Sequence, residues 1–122
     1  MDLPYDSRGA QPQRAEPVVV SGTIAGDGTL TLTLPPVPEG RRWKVNYITV
    51  TTGGTQEPTV DVYVDSADLR NLLDGTDTGL SAVAVYNPPR IITQGEQLVL
   101  RWVGAQAGAQ AGARIEYDIE PA

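Results

Sequence analysis

Asp61, Asp65, Asp68, Asp74 and Asp77 are the residues of this chain whose type and spacing come nearest to a chemical site. Paired carboxylates can exchange protons with a substrate, and carboxylate and carbonyl oxygens suit Ca²⁺. The segment Asp74-Gly75-Thr76-Asp77-Thr78-Gly79 does not carry the ligand spacing of an EF-hand loop. Asp also favours turns, because its side chain bonds its own backbone. Solvated strand faces and turns account for these five residues, and no metal or cofactor is expected. Hydroxyl nucleophiles are plentiful, but the chain has no His and no Cys. That excludes histidine-dependent triads, thiolate catalysis, ordinary zinc sites and disulfides. Lys44, the only lysine, lies in a strand-like run where nothing marks a Ser–Lys arrangement. Gly53-Gly54 lacks the Gly-Lys-Ser/Thr of a phosphate loop and opens no helix. A protein without enzymatic activity is expected.

Rings are the other chemical resource. Lectin-like sandwiches stack sugars on exposed aromatics, and this chain has two Trp and five Tyr. Trp43 and Trp102 alternate with polar neighbours as core residues do, so both read as core anchors. Tyr63 has outward parity between Val62 and Val64. It is the candidate exposed ring, to meet either a sugar or another protein.

The elements that hold these residues are strands. The 122 residues suit one domain, which at this size buries about two thirds of its unfolded surface without staples. Phe is absent, so Val, Leu and Ile must fill the core. Arg42 to Thr52 is rich in aromatic and β-branched residues and reads as the central strand. Its apolar phase slips at Tyr47-Ile48, the sign of a β-bulge or of a strand buried on both faces. Gln97 to Val103 carries the other Trp and is the expected partner. Val18 to Ile24, Thr29 to Leu34, Thr59 to Asp65, Leu80 to Tyr86 and Arg114 to Glu120 supply further strands. Ala25 to Gly28 is a hairpin signal. Ala67 to Leu73 reads as one helical turn or a short edge strand, and Asp74 to Gly79 as a loop. Asn87-Pro88-Pro89 should break the chain before a short edge at Arg90 to Thr93. The Gly-Ala-Gln-Ala repeat of residues 104–113 reads as a flexible connection in a closing hairpin. About eight antiparallel strands with turn signals between them imply an all-β sandwich, jelly-roll-like, over residues 17–122. Residues 1–16 are polar and aperiodic and read as an extended arm. The arm either grips a neighbouring subunit or lies along its own domain.

Net charge is −6 and no basic patch is visible, so nucleic acid is not an expected partner. No apolar run approaches the roughly 20 residues of a membrane span. Met1-Asp2-Leu3-Pro4 opens no signal peptide, so the cytoplasm, or a particle assembled there, is the expected location.

The order of features has a family rhythm. A Val-rich strand with Gly-Thr is followed by an alternating Thr/Leu strand. Then come Pro-Glu-Gly-Arg-Arg-Trp-Lys-Val, Val-Asp-Val-Tyr-Val-Asp, Asp-Gly-Thr-Asp-Thr-Gly and Gln-Gly-Glu-Gln-Leu-Val-Leu-Arg-Trp. From about residue 17 to 120 this resembles small virion proteins of tailed bacteriophages, especially those infecting actinobacteria. The resemblance implies a head-decoration or minor structural protein, commonly a trimer, that binds the major capsid protein or other virion proteins. It supplies no catalytic residues. Leu3, Tyr5 and Arg8 would then anchor the arm, as its apolar and bidentate-capable side chains. A glycan-binding module and a tail or neck connector are the alternatives, both on the virion.

Overall fold

The computed structural model describes residues 13–67, 71–76 and 81–122. Nine strands run through them: β1 (Gln13–Arg14), β2 (Val18–Thr23), β3 (Leu30–Thr33), β4 (Arg41–Thr52), β5 (Thr59–Val64), β6 (Leu72–Thr76), β7 (Ser81–Thr93), β8 (Leu98–Val103) and β9 (Gln110–Pro121). No α-helix occurs among the described residues. The pairing is nested and antiparallel: β2 with β9, β3 with β8, β4 with β7, β5 with β6. Contacts of β9 with β4 and of β8 with β5 roll this ladder up. The result is one sheet ordered β2–β9–β4–β7, with β1 continuing the β2 edge along β9, and a second ordered β3–β8–β5–β6. This is the strand order of a jelly roll, so the sandwich expected from the sequence is the one observed.

Alternation explains most of the elements. Leu30 and Leu32 of β3 and the following Leu34 turn toward the core, while Thr31 and Thr33 face water. In β4, Val45 stands opposite Tyr117 and Tyr47 opposite Glu116, which leaves Asn46 as the extra residue of a bulge. The bulge lets Trp43 and Val45 before it, and Ile48, Val50 and Thr52 after it, share the core face. The slip in apolar phase is therefore real, and it sits at Asn46.

Trp43 and Trp102 are both buried, but they are not neighbours on paired strands. β4 pairs with β9 and β7, and β8 pairs with β3 and β5 in the other sheet. Trp43 packs on Tyr117 with ring centroids 4.4 Å apart and planes tilted by 37°. Trp102 is fully enclosed, and its indole N–H donates to the Thr52 hydroxyl at 2.9 Å, across the sandwich. Trp43 and Thr52 are roughly 30 Å apart along β4, at about 3.3 Å per residue. Each tryptophan thus closes one end of the core.

Other expectations give way to the rolled topology. Ala25 to Gly28 does turn, but β2 and β3 enter different sheets and form no hairpin. β8 and β9 are likewise in different sheets. Residues 110–113 of the Gly-Ala-Gln-Ala repeat belong to β9, where Ala111 and Ala113 are buried and Gly112 lies close beside the Val20 carbonyl of β2. Asp74-Gly75-Thr76 lies in edge strand β6 rather than in a loop. Asn87-Pro88-Pro89 does not end β7. Val45 pairs with Arg90 and Tyr47 with Val85, so Tyr86 to Pro89 bulge out opposite Asn46. Proline is tolerated there because β7 is an edge strand.

Candidate functional site

Asp61 and Asp65 hold separate partners. Asp61 accepts the Tyr63 hydroxyl at 3.2 Å. Asp65, at a positive φ of 71°, accepts the Gln97 N–H at 3.0 Å and donates its own N–H to the Gln97 carbonyl at 2.7 Å. That exchange ties off the ends of β5 and β8. Asp68 and Asp77 lie outside the described residues. No group of three or more potential metal-binding side chains occurs among the described residues. Lys44 stands opposite Asp118 in register on the outer face of β4. Asp27 takes two hydrogen bonds from Thr29, at 3.1 Å from N–H and 2.7 Å from the hydroxyl. These bonds, the hydroxyl's first, hold its carboxyl below the usual value of 3.8.

Tyr63 is not an exposed ring. It has the outward parity expected of it, but it is only 9% exposed. On β5 it sits between Val99 of β8 and Leu72 of β6, where the β5–β6 register shifts. Tyr63 and Val99 are both buried and both lie outside the core cluster, so they make a small apolar patch on the outer side of the smaller sheet. Burial, and then Asp61, push the Tyr63 hydroxyl pKa above its ordinary 10.0. Leu3, Tyr5 and Arg8 lie outside the described residues. The end of the proposed arm is part of the sandwich. Gln13 and Arg14 pair with Ile119 and Asp118, and the Ala15 N–H donates to the Tyr117 carbonyl at 3.2 Å.

The outer face of the larger sheet divides in two at the Asn46 bulge. On one side, charge is matched within the chain. Arg42 bonds Glu120, Asn46 bonds Asp118 at 3.3 Å, and Lys44 stands beside Asp118. On the other side the registers build two rows across four strands: Val19, Arg114, Thr49, Val83, and Ser21, Gly112, Thr51, Ser81. A shallow depression follows these rows over Val19, Ser21, Thr49, Thr51 and Gly112. Arg114 turns its guanidinium to the nearly buried Glu116, at 2.6 Å. What remains free on this half is uncharged, and three valines stand in water: Val19 at 68%, Val83 at 58% and Val85 at 71% exposure. Val83 and Val85 adjoin along β7, while Val19 stands at the opposite edge of the sheet, beyond Arg114 and Thr49. Reading the sequence for charged and aromatic residues misses these valines. Their signal is the absence of charge in Val18 to Thr23 and Ser81 to Tyr86.

No helix of the described residues is long and apolar enough to cross a membrane. No protein-family model matches the chain, and no curated protein matches it. Among solved structures it is similar to a chain of the Bacillus endospore appendages, described as a novel family of disulfide-linked pili. The likeness covers 99% of this chain and 98% of that one, with a TM-score of 0.50 and 14% sequence identity. At that identity it is a likeness of fold.

Proposed function

We propose that this chain is a non-enzymatic structural subunit of a larger particle. In its most specific form it is a head-decoration or accessory protein of a tailed bacteriophage, binding the major capsid protein and stabilising the head. The observation that carries the reading is the outer half-face on which Arg114 is paired with Glu116 within the chain and Val19, Val83 and Val85 stand in water. A chain of net charge −6 that leaves such a surface bare is built to cover it against protein. The absence of His and Cys removes the commonest catalytic side chains and supports the same reading. Residues 1–12 would supply a second attachment through Leu3, Tyr5 and Arg8, and the particle would be assembled in the host cytoplasm. A sugar-binding role loses its ring, because Tyr63 is covered.

A subunit of a surface fibre is the second reading. The full-length likeness of fold to the endospore appendage chain favours it. With no cysteine, this chain would have to be held in such a fibre without disulfides. Gold-labelled antibody applied to particles and fibres purified from the producing culture tests the proposal. Regular labelling of heads supports decoration, and labelling along filaments supports the fibre. Antigen confined to the soluble fraction refutes both.

A further inference from the structure

The two edges of the larger sheet are complementary to each other. Among the described residues β2 pairs only with β9, and β7 only with β4. Sheet edges exposed to water are ordinarily guarded by charge, proline or a bulge, because their free N–H and C=O groups recruit other strands. The guards here are confined to one half of the sheet. Pro88 and Pro89 lie in the bulge of β7 and Arg90 just beyond it, and Glu16 and Pro17 precede β2. The other half has none. Val18-Val19-Val20-Ser21-Gly22-Thr23 and Ser81-Ala82-Val83-Ala84-Val85 are both free of charge and of proline.

Direction matches as well. The order β2–β9–β4–β7 is antiparallel at every step, so β2 and β7 run oppositely. A copy set beside this one, turned to follow the twist of the sheet, brings its β7 antiparallel to β2. The registers then decide what meets what. Val19 and Val83 lie on one row through Arg114 and Thr49, and Ser21 and Ser81 on the next through Gly112 and Thr51. Side by side, the copies bring Val19 level with Val83 and Ser21 level with Ser81, which joins the exposed valines into one stripe.

We infer that the partner on this surface is a second copy of the same chain, its β7 edge pairing with β2 to continue the sheet from subunit to subunit. The inference rests on the structural-subunit reading and names its contact. Such a head-to-tail contact makes a ring where the rotation between copies closes, and an open helical filament where it does not.

The cysteine-free sequence makes the test clean. Within one chain, positions 19 and 83 are three strand spacings apart, about 14 Å, beyond the roughly 7 Å Cα limit of a disulfide. Val19→Cys/Val83→Cys and Ser21→Cys/Ser81→Cys are oxidised with diamide and run on non-reducing gels. A ladder in multiples of 13.0 kDa is expected from at least one double variant. A mixture of the single variants Val19→Cys and Val83→Cys should stop at a dimer, and each single variant alone should give none. Val83→Lys, at an exposed position that tolerates lysine, should abolish association while circular dichroism stays unchanged. Failure of both double variants to ladder overturns the inference, and so do homodimers of Val83→Cys alone. Gold labelling of particles would still uphold the structural-subunit reading in either case, so the two fail separately.

Discussion

Thr52→Val tests the link between the sheets. The substitution keeps the size of the side chain and removes the hydroxyl that accepts the Trp102 indole N–H at 2.9 Å. Trp102 is wholly enclosed and Thr52 is nearly so, at 7% exposure, so no water can replace the lost acceptor without opening the core. A buried donor left without a partner costs about 1–3 kcal/mol. For 122 residues, an unfolding entropy of about 2.1 cal/mol/K per residue converts each kcal/mol to about 4 °C of Tm. The midpoint should fall by about 4–12 °C. Thr52 has an interaction besides the indole bond, so its single substitution reports more than that bond. A double-mutant cycle with Trp102→Phe isolates that bond, followed by urea unfolding under circular dichroism. Coupling of about 1–2 kcal/mol is expected, with unchanged m-values. An equal cost of Thr52→Val in both backgrounds, within about 0.5 kcal/mol, would refute the claim that this bond ties the sheets together.

Gly28 has φ +83°, and an added Cβ would lie 2.9 Å from the Ala105 carbonyl oxygen. Gly28→Ala should therefore cost about 1–3 kcal/mol in thermal unfolding, and a neutral result would contradict the close approach of the two turns. Asp27 has a folded pKa below its ordinary 3.8 through its bonds from Thr29. Its contribution to stability is complete above that ordinary value and is lost as pH falls through the lowered one. The stability difference between wild type and Asp27→Asn should accordingly vanish in strong acid, as read from urea midpoints across pH. Absorbance titration of wild type against Tyr63→Phe should show that the lost hydroxyl titrates above 10.0, and an ordinary value would place the ring in water after all. Deleting residues 1–16 removes the pairing of Gln13 and Arg14 with β9 and should lower the Tm. Tests of particle attachment should for that reason cut after residue 12.

Strands that alternate cleanly are legible in the sequence, because one-sided burial writes itself as a period of two. β3 and β5 are of this kind. β4 is legible with its bulge misplaced by a residue or two, since apolar phase shows that a slip occurs but not which residue is extra. Residues 110–113 are not legible. Their small side chains suggest a loop, and only the pairing with β2, whose Val20 carbonyl would crowd a Cβ on Gly112, shows them to be strand. The expected pairing of the two tryptophan strands fails for a topological reason. Rolling a nested ladder sends consecutive strands to opposite sheets, and local pattern carries no record of it. Tyr63 shows a related limit. Parity placed its ring on the outer side, but whether that side is covered depends on neighbours brought in by β6 and β8. The candidate surface is visible only when β2, β4, β7 and β9 are laid side by side.

The mass of the protein in solution, measured by light scattering over a wide concentration range beside Val83→Lys, bears most directly on the claim that the bare valine half-face is a contact between subunits. The wild type should climb from 13.0 kDa to multiples of it as concentration rises, while the variant stays at one subunit. A single-subunit mass for both at every concentration, or equal association by both, would contradict it.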